Sequence, residues 1–329
     1  MSPISVLIDP SQFPDAVRRD LLDSLRIRRI NHKFHYDSFK QAQKWLALHE
    51  AYSPARNDAH CATVYDRCFA ETASRIQVRA VHLVGLGCGG GQKDTRLLQI
   101  LKKRGKKISY TPSDVSIPLV LVAHQAALPV AGAENIFPCV CDLTSIENGK
   151  DFFARYKVKA ASRLVTFFGM IPNFEPQNIL PKLAALLSPK DHLLFSANLA
   201  PGRNYADGVK KVLPLYDNAL TREWLQTFLE DLGVEKKDGE LRFFIEDFPA
   251  GKIRLKRIVA DFVFSRRCEI KLPEERFTFQ QGGKIRLFYS FRHTPKLVKQ
   301  LLAQTKIEVV DEWISRSEEE GVFLCRKSG

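Results

Sequence analysis

The chain has 329 residues, is 45% hydrophobic and carries a formal net charge of +13. That length supplies one large core, or a domain with a substantial second unit, and no apolar run approaches the roughly 20 residues of a membrane span. The basic excess would suit an anionic partner. Its densest run, Lys102-Lys-Arg-Gly-Lys-Lys107, has no interleaved aromatics to stack bases, which argues against nucleic acid.

At the N-terminus a short apolar stretch has no basic region before it, so no secretory signal is expected. Ile4 to Ile8 reads as a short strand. Pro14 to Arg26 reads as a helix, because Val17, Leu21, Leu22 and Leu25 recur at helical spacing and Pro14 suits a first turn. An aromatic and polar cluster follows, Asn31-His-Lys-Phe-His-Tyr-Asp37. Ser38 to His49 is predicted helical and is stopped near Pro54; another helix runs from about Asp58 to Ser74.

From about residue 78 to 200 the pattern alternates strand and helix. The predicted strands are Val81 to Val84, Lys107 to Tyr110, Ile136 to Cys141, Ser162 to Phe168 and His192 to Ala197. The helices between them include Leu97 to Leu101, Ile117 to Ala127, a stretch beginning at Phe152-Phe153, and Asn178 to Leu187. This alternation implies a parallel sheet with helices on both faces, an α/β Rossmann-like core. Beyond it, Leu213 to Leu232 reads as one helix. The strand-like runs after it are Leu241 to Phe248, Ile253 to Phe264, Arg276 to Gln280 and Lys284 to Phe291, with Gly282-Gly283 as a hairpin turn. A helix, Pro295 to Gln304, and a pair, Ile307 to Trp313 and Val322 to Arg326, close the chain. This half reads as an antiparallel α+β sheet added to the core. Of the seven cysteines only Cys139 and Cys141 lie close together, too close for a zinc knuckle; reduced thiols and a cytoplasmic location are expected. His32 and His35 are the only close histidine pair, with no further ligand beside them, so no metal site is expected.

Glycines 85, 87, 89, 90 and 91 follow the first core strand. Strand, glycine turn and helix open a nucleotide-binding sheet, where the backbone must approach a ligand closely. Gly85-x-Gly87-x-x-Gly90 satisfies a dinucleotide fingerprint and Gly85-x-Gly87-x-Gly89 satisfies the loop of S-adenosylmethionine (SAM) enzymes. No Gly-Lys-Ser/Thr closes a Walker loop. The next strand tips favour SAM. Asp114 can bond ribose hydroxyls in either case. An acceptor at Asp142 has no general role with dinucleotides, but would read the amine of adenine while Leu143 covers the ring. Both aspartates could also cap the helices that follow them. Many SAM enzymes carry an acid at the end of the first strand, where Gly85 stands, so the methionine ammonium would need another partner. Lys93 could reach the methionine carboxylate, or be an exposed lysine in a first helical turn.

The chain resembles the histidine-specific SAM-dependent methyltransferase family, with a known member that trimethylates the histidine α-amine and fungal relatives that methylate tryptophan-derived amines. The likeness rests on Lys33-Phe-His-Tyr-Asp37, Glu50-Ala-Tyr-Ser-Pro-Ala-Arg56, Leu83-Val-Gly-Leu-Gly-Cys-Gly, Gln92-Lys-Asp-Thr-Arg-Leu-Leu98, Tyr110-Thr-Pro-Ser-Asp-Val-Ser116, Phe168-Gly-Met-Ile-Pro-Asn173 and Leu215-Tyr-Asp217, in that order. It implies a SAM-binding domain over about 62–200 and a substrate-binding domain from 1–61 plus 201–329. It implies SAM contacts from Gly87, Cys88, Gly89, Lys93, Asp114, Asp142 and Leu143. Tyr36 would close over the site, and Asn173 and Tyr216 would hold an α-carboxylate and position the acceptor. Tyr52, Gly169, Phe288 and Ser290 would line the acceptor pocket. Without the resemblance the tyrosines read as semi-buried core residues.

Two departures bear on the substrate. Where the histidine enzymes place a glutamate facing the imidazole, this chain has Phe288, which accepts no hydrogen bond. Gly169-Met-Ile-Pro-Asn173 is also one residue shorter than the usual Gly-Ser-Thr-Ile-Gly-Asn. The expectation is N-methylation of an amino acid or related small amine other than histidine. A nucleic-acid methyltransferase, a SAM-binding protein without methyl transfer, and an oxidoreductase are the competing readings.

Overall fold

In the computed structural model, which describes residues 3–146 and 162–328, the apolar run at Val81 becomes the middle strand of an eight-stranded sheet. Its strands, numbered along the whole chain, are β1 (Leu7–Ile8), β2 (Ala80–Leu86), β3 (Lys107–Asp114), β4 (Cys139–Val140), β5 (Ser162–Phe167), β6 (His192–Asn198), β12 (Ile307–Ile314) and β13 (Glu320–Lys327). They lie in the order β1-β4-β3-β2-β5-β6-β13-β12. The first six are parallel, and β13 runs antiparallel to β6 and to β12.

Side chains of β2 alternate across the sheet, as a doubly covered strand requires. Val84 and Leu86 pack in one cluster with Val165, Phe167 and Phe195. Val81 and Leu83 pack in the other with Leu97, Leu101 and Phe69. The helices numbered along the chain are α1 (Pro14–Arg26), α2 (Phe39–Tyr52), α3 (Pro54–Asn57), α4 (Ala59–Arg75), α5 (Gln92–Lys103), α6 (Ile117–Ala131), α7 (Pro176–Leu186), α8 (Tyr205–Val212), α9 (Ala219–Asp231) and α10 (Pro295–Ala303).

A separate three-stranded antiparallel sheet has the order β11-β8-β7, from β7 (Gly239–Ala250), β8 (Ile253–Phe264) and β11 (Lys284–Arg292). Leu25 of α1, Trp224 and Phe228 of α9, and Phe262, Leu287 and Phe288 of this sheet share one core. Isolated bridges, Arg29 to Arg286 and Leu199 to His293, tie the sheet to the N-terminal segment and to the end of β6.

Several expectations need correction. The C-terminal pair does not join the added sheet: β13 pairs residue for residue with β6 and closes the central sheet. The long helix over Leu213 to Leu232 is two elements, because Pro214 sits in a 3-10 turn and Asn218 caps α9, accepting from Thr221 N at 3.0 Å. Helix α8 was not anticipated. Gly282-Gly283 is a turn, with Gly282 at φ +77°, but it joins strands of different sheets: β10 (Arg276–Phe279) pairs with the unanticipated β9 (Cys268–Lys271). The helix expected at Phe152-Phe153 lies outside the described residues.

Candidate active site

The carboxyl ends of β2 to β6 and the edge of β11 enclose a cleft of about 340 Å³. Every residue singled out from the sequence lines it: Tyr36, Tyr52, Gly87, Cys88, Gly89, Lys93, Asp114, Asp142, Leu143, Gly169, Asn173, Tyr216, Phe288 and Ser290. Motifs spread over more than 250 residues of sequence meet there because successive parallel strands deliver their C-terminal loops to one edge of the sheet.

The glycine loop has three left-handed residues, Gly87, Gly89 and Gly91 (φ +67°, +51° and +72°). A Cβ on Gly91 would sit 2.7 Å from the Cα of Ala123 in α6, and one on Gly89 would sit 2.8 Å from the Trp45 ring. The loop is therefore compact enough to admit a ligand only with glycines in place. At the tip of β3, Asp114 accepts from Gly89 N at 3.0 Å and from Ser116 N at 3.1 Å. The cap of α6 is Ser116, not Asp114. Burial pushes the Asp114 carboxyl up to about 6 against those backbone bonds. Asp142 caps its own 3-10 turn through Oδ1, accepting from Thr144 N and Oγ1 at 2.8 and 2.6 Å, while its Oδ2 lies 3.9 Å from Lys33 Nζ. Leu143, buried, follows it. Cys88 is half-buried, its thiol pushed up by burial.

Lys93 is committed within the protein. Its ammonium donates to Tyr65 OH at 2.7 Å, stands 3.4 Å from Glu320 Oε1 and lies over the Tyr65 ring. It reaches the cleft without being the free surface lysine that a first helical turn would suggest.

One wall of the cleft is aromatic. Tyr36 packs edge-on against Trp45 and tilted against Trp224, with centroids 5.7 and 5.5 Å away. Its hydroxyl is held neutral by burial and by the charge of Asp114. Phe288 stacks on His32 at 5.2 Å and meets Trp224 edge-on at 5.8 Å. Tyr52 stands at the exposed rim and Gly169, at φ +67°, donates its N–H to Ser196 Oγ at 2.9 Å. Met170, in the shortened loop, fills the space beside Gly87 where a side chain would otherwise go. The side-chain amide of Asn173 makes no hydrogen bond among the described residues. Tyr216 OH bonds Ser290 Oγ at 2.9 Å and accepts from Arg292 Nη2 at 2.8 Å.

The sequence reading missed four lining groups. Arg292 is buried; it donates to Leu199 O at 3.0 Å, its Nε has no partner, and no carboxylate pairs with it among the described residues. Asp94 and Glu320 are buried carboxylates in the same cleft. His49 stacks on Trp45 at 5.0 Å, and burial pulls its imidazole down to about 3. Asp94 lies in the quoted run Gln92–Leu98 but drew no role there, and the other three stand in no motif: an arginine near a strand end and an acid in a first helical turn are ordinary on sequence alone.

The chain belongs to the histidine-specific, SAM-dependent methyltransferase family, whose family model matches residues 17–327. No curated protein sequence matches it. Solved structures with a similar fold include magnesium protoporphyrin IX methyltransferase from Synechocystis with bound SAH, the demethylated cofactor (13% identity, 97% of this chain and 100% of that one, TM-score 0.43). Others are the CcbJ methyltransferase from Streptomyces caelestis (12%, 80% and 96%, 0.38) and a Burkholderia thailandensis 1,6-didemethyltoxoflavin N1-methyltransferase (10%, 100% and 93%, 0.41). The protein is a SAM-dependent methyltransferase with a Rossmann-like core. Its cleft suits SAM, which carries a sulfonium, an ammonium and a carboxylate: glycines make room, and two buried carboxylates, Asp114 and Asp94, have no cation paired with them among the described residues.

Proposed function

We propose that this enzyme methylates the amine of an amino acid or a closely related carboxylate-bearing small molecule whose side chain is apolar or aromatic, and that histidine is not its preferred acceptor. The observation that carries the reading is an unmatched guanidinium in an aromatic cleft: Arg292, bonded to Tyr216, lines the same cleft as Asn173 and the ring cluster of Phe288, His32 and Trp224. A buried charge without a partner is costly, and an α-carboxylate would complete it.

In this reading residues 62–200, extended by the β12–β13 hairpin, hold SAM, and residues 1–61 with the three-stranded sheet hold the acceptor. Bound SAM supplies an electrophilic methyl group. The chain's own part is to hold an uncharged amine in line with it, at near-attack distance. Asn173 and Tyr216 with Arg292 fix the carboxylate end; Tyr36 closes the other side and excludes water. His32 and His49 are neutral at pH 7, since burial pulls both imidazoles down. A protonated amine therefore meets no opposing imidazolium, and its proton leaves to solvent before transfer.

The basic run supports a small acceptor over RNA, because Lys102 and Lys106 are spent on backbone carbonyls, Val130 O at 2.6 Å and Val78 O at 2.9 Å. The test is a mass-spectrometric screen of purified protein with SAM against the twenty amino acids and their decarboxylated amines. Methylated products concentrated among apolar and aromatic amino acids are expected. Histidine as the best acceptor, or equal turnover of the decarboxylated amines, refutes the reading.

A further inference from the structure

Gly85, the last residue but one of the middle strand β2, has no side chain, yet its place is filled. A Cβ built there would land on the Oδ2 of Asp94, which reaches back from the first turn of α5. The two neighbouring strands grip this carboxylate. Tyr110 of β3 donates to Oδ2 at 2.7 Å and Thr166 of β5 donates to Oδ1 at 2.8 Å. Gly85 pairs in register with Thr166 on one side and with Pro112 on the other. The carboxylate is therefore centred over the strand tip as firmly as if it grew from it.

Asp94 is 3% exposed and lines the cleft. No cation pairs with it among the described residues. Its neighbour Lys93 is turned to Tyr65 and Glu320. Two neutral hydroxyls satisfy hydrogen bonds without balancing the charge, and burial lifts the carboxyl to about 6 against those bonds and the more distant charge of Lys93. Were the group only a tie between β3 and β5, an uncharged amide of the same shape would serve without the desolvation cost.

We propose that Asp94 is the counter-ion of the α-ammonium of SAM, delivered by helix α5 to the strand tip that Gly85 leaves bare. Of the two positive groups SAM carries, the sulfonium has no N–H to donate. The ammonium has three, and each Asp94 oxygen keeps a lone pair free after its hydroxyl bond. Asp114 lies at the neighbouring strand tip, next to Asp142, and faces the nucleoside end. Asp94, over the central strand beside the glycine loop, faces the methionine end. Helix α5 thus supplies both the acid and, one residue earlier, a lysine that lines the same cleft. The assignment concerns the cofactor and is independent of the acceptor.

The test is calorimetric binding of SAH, which keeps the ammonium and is not turned over, and of deaminated SAH, which keeps the carboxylate and lacks the ammonium. Asp94→Asn is expected to weaken SAH about 10- to 100-fold, as for loss of a charge-assisted hydrogen bond, and to change deaminated SAH less than threefold. Thr166→Val, which frees one side of the carboxylate, should weaken SAH selectively by a smaller factor. It also decides the matter if Asp94→Asn does not fold. Equal losses for the two ligands, or no loss for SAH, would overturn the assignment. Binding of deaminated SAH to the unmodified enzyme shows separately that the cleft takes the cofactor.

Discussion

Phe288 is the position where a change of one side chain should change the preferred acceptor. It is buried, its ring stacked on His32 at 5.2 Å and flanked by Trp224 and Tyr216 at 5.8 and 6.1 Å. Phe288→Glu removes that ring and places a carboxylate where an imidazole N–H of bound histidine could donate to it. A hydrogen bond to a charged group is worth about 1.5–3 kcal/mol, or roughly 10- to 150-fold in relative kcat/KM. The lost aromatic packing costs the fold about 3 kcal/mol. His32 tempers the gain: burial keeps it neutral now, but a carboxylate at 288 would draw a proton onto it and spend part of its charge there. Phe288→Gln separates these effects, since a neutral acceptor offers about 1 kcal/mol, roughly fivefold, and leaves His32 uncharged. The assay is competition between equimolar histidine and phenylalanine, read as the ratio of methylated products. The ratio should rise toward histidine in both variants, more in Glu than in Gln. If both variants fold, by circular dichroism, and the ratio stays at the value of the unmodified enzyme, the reasoning about this wall is wrong.

Three further outcomes follow from the geometry. Arg292→Gln should lower kcat/KM for carboxylate-bearing acceptors by about 10- to 100-fold while leaving their decarboxylated amines unchanged; a parallel loss for both would mean the guanidinium only supports the fold. Gly91 and Gly105 share φ near +72° (+72° and +73°), but a Cβ meets α6 at the first and nothing within 4 Å at the second. Gly105→Ala should then cost about 1 kcal/mol of strain in urea unfolding, and Gly91→Ala several times more, with SAH binding lost; similar costs would refute a steric role for the loop. Acid should destabilise the protein. Burial pulls His35, His82 and His293 down to about 4, so the fold binds fewer protons than the unfolded chain. That stability is complete above pH 6.5 and lost as pH falls toward 4, about 3 kcal/mol per residue. Asp94 and Asp114, raised to about 6, oppose it: they favour the fold below pH 4 and lose that contribution as pH rises through 6. Thermal melts should show Tm falling from pH 6.5 to 4, and falling more steeply in Asp94→Asn; a flat profile contradicts the sign.

What was legible in the sequence was what local rules govern. The βα units announced themselves through apolar runs and glycines, and the tips of β3 and β4 through Asp114 and Asp142, while Asn173 falls in a 3-10 turn beyond β5. What escaped depended on pairing across long separations. The hairpin of β12 and β13 has the same alternation whether it joins β6 or the added sheet, and only packing on both faces decides it. β9 is four residues long and carries too little pattern to register. Asn218 is a recognisable helix cap, and read as such it would have split the helix over Leu213 to Leu232.

Asp94 and Arg292 failed to register for a common reason that bears on function. Each is an ordinary residue type for its element, an acid in a helix's first turn and a cation at a strand's end. Each becomes unusual only when the fold buries it in the cleft with no opposite charge paired to it among the described residues. A chain optimised for stability alone would pair these charges or replace them, because isolated buried charge is among the most expensive features a core can hold. They stand on different walls, Asp94 over the middle strand of the central sheet and Arg292 at the end of β11. An ammonium would complete the first and a carboxylate the second. On the proposed reading, a methyl donor and an amino-acid acceptor entering the same cleft bring both. The electrostatics then disfavour the empty cleft and each singly filled state relative to the one in which both substrates are in place.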